Sequence, residues 1–70
     1  MSYFVITETR ISEIGKLVWT ISDGWAGQSN YDQARRFDNW EDALKTAESI
    51  KKRRAIAGVP LGLLRVEKWS

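Results

Sequence analysis

The sequence predicts a small α+β domain: an antiparallel sheet of three or four strands with one amphipathic helix packed on one face, in the order β-β-(β)-α-β. Three observations lead there. Two runs rich in β-branched and aromatic residues lie close together near the N-terminus, one long stretch carries a helical stripe, and the chain then returns to an alternating pattern. A lone helix cannot bury its stripe without a layer to lie on, and two or three strands gain stability from such a cover. Seventy residues hold one domain at most, here taken as 1–70, and lie near the lower size limit for an unassisted core.

The first run, "YFVITETRI" over 3–11, reads as a strand with Tyr3, Val5 and Thr7 on one face and Phe4, Ile6 and Glu8 on the other. Neither face is plainly the inner one. "SEIG" makes a short connection to "KLVWTIS", in which Leu17, Trp19 and Ile21 alternate with Val18, Thr20 and Ser22, so the two runs form an antiparallel hairpin. The stretch from Asp23 to Gln33 reads as a loop, with Gly24 and Gly27 supplying positive φ angles. "QARRF" then offers a short edge strand.

The helix is predicted over "DNWEDALKTAESIKKRRAIAG". Trp40, Ala43, Leu44, Ala47 and Ile50 fall at i, i+3, i+4, i+7 and i+10, one stripe facing the sheet, which makes Trp40 a core residue together with Trp19. Asp38 with Glu41, or Asn39 with Asp42, supplies the N-cap and its reciprocal acceptor, and Gly58 and Pro60 end the helix. The tail "LGLLRVEKWS" sets Leu64 and Val66 against Leu63, Arg65, Glu67 and Trp69, the pattern of a last strand.

Composition excludes most chemistry. Without histidine or cysteine there is no Ser-His or Cys-His pair, no disulfide and no thiolate metal ligand, so neither metal nor cofactor is expected and the chain is read as a non-enzyme. The carboxylates Glu41 with Asp42 and Asp23 with Asp32 are better explained by helix capping and turn formation than by acid–base work. "DGWAG" lacks the glycine spacing that cradles phosphates. "MSYFVITETR" has neither the basic region nor the long apolar region of a signal peptide, and no run of about 18 apolar residues exists, so a cytoplasmic chain with no membrane contact is expected.

Three surfaces are left as candidates for recognition. The loop presents Trp25 and Tyr31 among Gln28, Asn30 and other amides, a mixture of rigid aromatics and adaptable polar groups suited to a protein partner. Trp25 serves there either as a lid on the core or as a contact. Positive charge is concentrated in the second half, which has nine basic and five acidic residues against two and four in residues 1–34. Arg35 and Arg36 could join Lys51, Lys52, Arg53 and Arg54 in one basic footprint, with the stem of Arg54 on the sheet and its guanidinium in water. Trp69 is the third, either pointing outward beside charges or covering the open face of the sheet.

These surfaces favour a non-catalytic protein-binding module that occludes a larger protein or nucleoprotein complex. In size and organisation the chain resembles small accessory proteins of phages and mobile elements, among them inhibitors of host nucleic-acid defence complexes. The competing reading is direct DNA or RNA binding through the six basic residues, with Trp25 or Tyr31 stacked on an unpaired base. A homodimer through an edge strand or an exposed sheet face is a further option.

Overall fold

The computed structural model describes residues 2–10, 15–58 and 62–70. Its elements are β1 (Tyr3–Thr9), β2 (Lys16–Trp19), β3 (Trp25–Ala26), a 3₁₀ segment (Gln28–Gln33), α1 (Trp40–Ala57) and β4 (Leu63–Trp69). The strands form one antiparallel sheet in the order β3-β2-β1-β4, with the helix against it. The α+β class and the element order therefore hold.

The central strand β1 is covered on both sides, which is why its sequence shows no clear inner face. Ile6 packs with Trp19, Ala43, Ala47 and Ile50 on the helix side, joined by Phe4, Leu64 and Val66. Val5 packs with Val18 and Ala34 on the opposite side, where Tyr3, Ala26, Tyr31 and Trp69 complete the cluster. That second layer is the loop itself. Tyr31 lies on the sheet with its hydroxyl donating to the Lys16 carbonyl at 2.7 Å, and its ring sits 5.2 Å from that of Trp69.

The third strand lies elsewhere than expected. "QARRF" makes only single bridges, Thr20 with Ala34 and Phe4 with Phe37, while the edge strand is the Trp25–Ala26 pair, inside the segment read as loop. A tight turn sets this up: Asp23 takes a left-handed φ of 58°, its N–H donates to the Thr20 carbonyl, and the Thr20 hydroxyl donates to the Gly24 carbonyl. Asp23 thus takes the role assigned to Gly24 and Gly27, neither of which has positive φ. Aspartate tolerates that region better than most residues. β2 stops at Trp19, so Ile21 is exposed instead of continuing the apolar face.

The helix begins at Trp40 and takes the later of the two proposed caps. Asn39 accepts from the Asp42 N–H at 2.9 Å and its amide donates back to the Asp42 carboxylate at 3.1 Å; Gly58 ends the helix with φ 70°. Trp40 is the stripe's failure. It is the first helical residue and stays 50% exposed, whereas Trp19 is buried as expected. Pro60 and the "SEI" of the hairpin connection lie outside the described residues. No helix among the described residues is long and apolar enough to cross a membrane.

Candidate functional site

One helix cannot cover four strands. The backbone of α1 approaches β1 and β4 but not β2 or β3, so the helix-side residues of those two strands are only flanked by its last turns. There Trp19 from β2, Trp25 from β3 and Ile50, Arg53 and Arg54 from α1 line a pocket of about 140 Å³. The two indoles meet edge to face, with centroids 5.1 Å apart and planes at 68°. The guanidinium of Arg54 stands 5.1 Å above the Trp25 ring, within cation–π range. Among the described residues, the buried Trp19 Nε1 has no hydrogen-bond partner, a rare omission in a native core.

The pocket is held by a buried acid. Glu8, on the face of Phe4 and Ile6, is fully buried and accepts two hydrogen bonds from the Arg54 guanidinium, one of them 3.0 Å long. Arg10 Nε donates to the same carboxylate at 2.9 Å, and the Gly62 N–H donates at 3.2 Å. Gly62 approaches so closely that a Cβ there would meet the Thr9 carbonyl oxygen at 2.7 Å and the Glu8 carboxylate at 2.8 Å. Burial pushes the Glu8 pKa up, but the hydrogen bonds and charges of Arg54 and Arg10 outweigh it, and the group titrates below the ordinary glutamate range. Arg54 is consequently fixed over Trp25 with its guanidinium inside the fold, not in water as its position near the stripe suggested.

The residues singled out from sequence separate into groups. Trp25, Arg53 and Arg54 come together in the pocket, with Lys51 and Lys52 exposed on the same helix segment. Tyr31 and Trp69 meet each other on the opposite face, so both act as cover for the second cluster. Arg36 is also on that face, with its guanidinium 4.5 Å over the Tyr3 ring, at the far end of β1 from Glu8 and Arg54. Arg35 pairs with Asp23 at 3.2 Å in the turn. The six residues therefore do not share one footprint, and Lys51, Lys52 and Arg53 remain as consecutive exposed basic residues on α1. Gln28 and Asn30 are exposed along the 3₁₀ segment.

Sequence reasoning missed Trp19 as a pocket wall and Glu8 as its support. The signal was present: an acid in phase with Phe4 and Ile6 on a strand, and an arginine in phase with the apolar stripe of α1. A second fixed carboxylate lies on the other face. Glu67 accepts from Thr7 Oγ1 at 2.5 Å and from Lys16 Nζ at 3.0 Å; burial pushes its pKa up, and these bonds, a contact from Trp69 Nε1 and the Lys16 charge bring it below the usual value.

Among the described residues no group of three or more acidic, histidine or cysteine side chains is placed to hold a metal ion. No family model matches the chain, and neither a curated protein nor a solved structure matches it.

Proposed function

We propose that this chain is a non-catalytic protein-binding module that docks through the Trp19–Trp25–Arg53 pocket and occludes a surface of a larger partner. The observation that carries the reading is the convergence of Trp25, from the aromatic loop, and Arg53 and Arg54, from the basic helix end, on one pocket. Its volume of about 140 Å³ is below the roughly 300 to 1,000 Å³ of small-molecule sites and suits a single inserted side chain. Tryptophan and arginine are among the residues most enriched at energetic hot spots, and here Trp25 is held in place by Trp19 and Arg54, which lowers the ordering cost of binding.

The partner supplies an apolar anchor for the indole walls and a carboxylate for Arg53, which has no ion pair among the described residues, while Lys51 and Lys52 add exposed positive charge on the same helix segment. An acidic surface on a nucleic-acid-handling complex has this chemistry, and occluding it is the action of a small inhibitor of phage or mobile-element type. The lack of cysteine supports a cytoplasmic setting.

Direct nucleic-acid binding is the second reading, favoured by the three consecutive exposed cations Lys51, Lys52 and Arg53. It is weakened by the use of Arg54 in a buried ion pair, by the surface pairing of Arg35 with Asp23 and by the placement of Arg36 on the far face.

Affinity capture with mass spectrometry, comparing wild type with folded Trp25→Ala and Arg53→Glu chains, tests the proposal. One stoichiometric protein, lost at least about thirtyfold in affinity on Trp25→Ala, is the expected result. A partner retained by both variants ends the proposal. So does salt-sensitive oligonucleotide binding that Lys52→Glu with Arg53→Glu abolishes, which establishes the second reading instead.

A further inference from the structure

Strand β4 is an edge. Over its seven residues it pairs continuously with β1 in one register, contains neither proline nor glycine, and is paired on its outer side by no strand among the described residues. Such a row of open N–H and C=O groups is a template for another strand unless something covers it. Its side chains identify the occupant. We infer that β4 pairs antiparallel with β4 of a second copy of this chain, about a two-fold axis at Val66, to give one eight-stranded sheet with both helices on the same side.

The charge pattern selects that axis. In a symmetric antiparallel pair, directly opposed residues share a sheet face, so the axis passes through a residue position. Placed at Arg65 it sets two arginines opposite each other, and placed at Glu67 it sets two glutamates opposite each other; like charges directly across a ladder are destabilising. Placed at Val66 it sets Arg65 opposite Glu67 twice and Leu63 opposite Trp69 twice.

Each of those groups suits the role. Arg65 is exposed and has no ion pair among the described residues. Glu67 is half-buried and already fixed by Thr7 and Lys16, so a partner's arginine meets an oriented carboxylate. Leu63 is 58% exposed, the kind of apolar side chain that the Trp69 of a second copy would cover. The inference does not rest on the proposed function, because β3 and β4 are opposite edges and the pocket beside β3 stays open in the pair.

Sedimentation velocity over a range of concentrations is the test. Wild type is expected to dimerise reversibly, Arg65→Glu to raise the dimer dissociation constant about tenfold or more, and the exchanged chain with Arg65→Glu and Glu67→Arg to recover the dimer. Circular dichroism establishes that each variant is folded. Since Glu67 also serves the fold, amide hydrogen exchange gives a readout independent of the exchanged chain: outward-pointing β4 amides of wild type should gain protection as concentration rises, and those of Arg65→Glu should not. A wild type that stays monomeric throughout, a dimer that Arg65→Glu leaves equally tight, or β4 amides indifferent to concentration overturns the inference. The first of these outcomes would leave the edge to a strand from a different protein.

Discussion

Glu8 shows how one residue can be readable in position and hidden in purpose. Its period-two phase with Phe4 and Ile6 places it on the helix side, and burial follows from that placement. What the phase does not contain is the identity of the cation, because Arg54 lies 46 positions away and their meeting depends on how the helix crosses the sheet. Folding lowers the Glu8 pKa, so the stabilisation from its charge is complete above the unfolded value of about 4.3 and is lost as pH falls through the lower folded value. Glu67 adds a loss of the same sign. Glu8→Gln should cost about 3 to 5 kcal/mol at neutral pH, since it leaves Arg54 without its counter-charge, and should flatten the decline in stability toward acid. Urea unfolding of both chains from about pH 6 to about pH 3 measures the two effects; equal acid slopes would contradict this account.

At the level of elements, periodic segments were legible and the connection between them was not. The helix announced itself through Ala43, Ala47 and Ile50, all buried, and its two candidate caps differed by a single position. Only the geometry selects Asn39, since both Asp38 and Asn39 have a capping chemistry. Asn39→Ala should therefore cost about 1 kcal/mol, and Asp38→Ala less than about 0.5 kcal/mol, in thermal or urea unfolding. The stretch from Asp23 to Ala34 hid both a two-residue strand and a 3₁₀ cover because neither is long enough to establish a period. Trp40 misled in the opposite direction: in phase with the stripe, it sits at the helix start and stays half-exposed.

For the whole molecule, the expectation of a helix on one face was right but incomplete. The other face is covered too, by Tyr31, Ala34 and Trp69, so a 70-residue chain has two small clusters on either side of one sheet. Aromatic residues that the sequence offered as contacts are thus divided by the sheet, Tyr31 and Trp69 joining the cover of one face and Trp25 the pocket on the other. Tyr31→Ala should destabilise the fold by about 2 kcal/mol or more, through lost packing and a lost hydrogen bond, whereas Trp40→Ala should cost less than about 1 kcal/mol despite removing a larger ring. A Tyr31→Ala loss below about 1 kcal/mol in chemical denaturation would show that the second cluster has little energetic weight.

The pairing of β1 with β4 also governs how the chain reaches this state. Thr7 and Glu67 join across 60 positions of sequence, and Glu8 and Gly62 across 54. Long loops must close before such contacts return any energy, which slows folding relative to helical proteins of equal length. During synthesis β1 waits for β4, with β2 and α1 available to it sooner, and the ion pair beneath the pocket gains its glycine clamp only when the segment leading into β4 arrives.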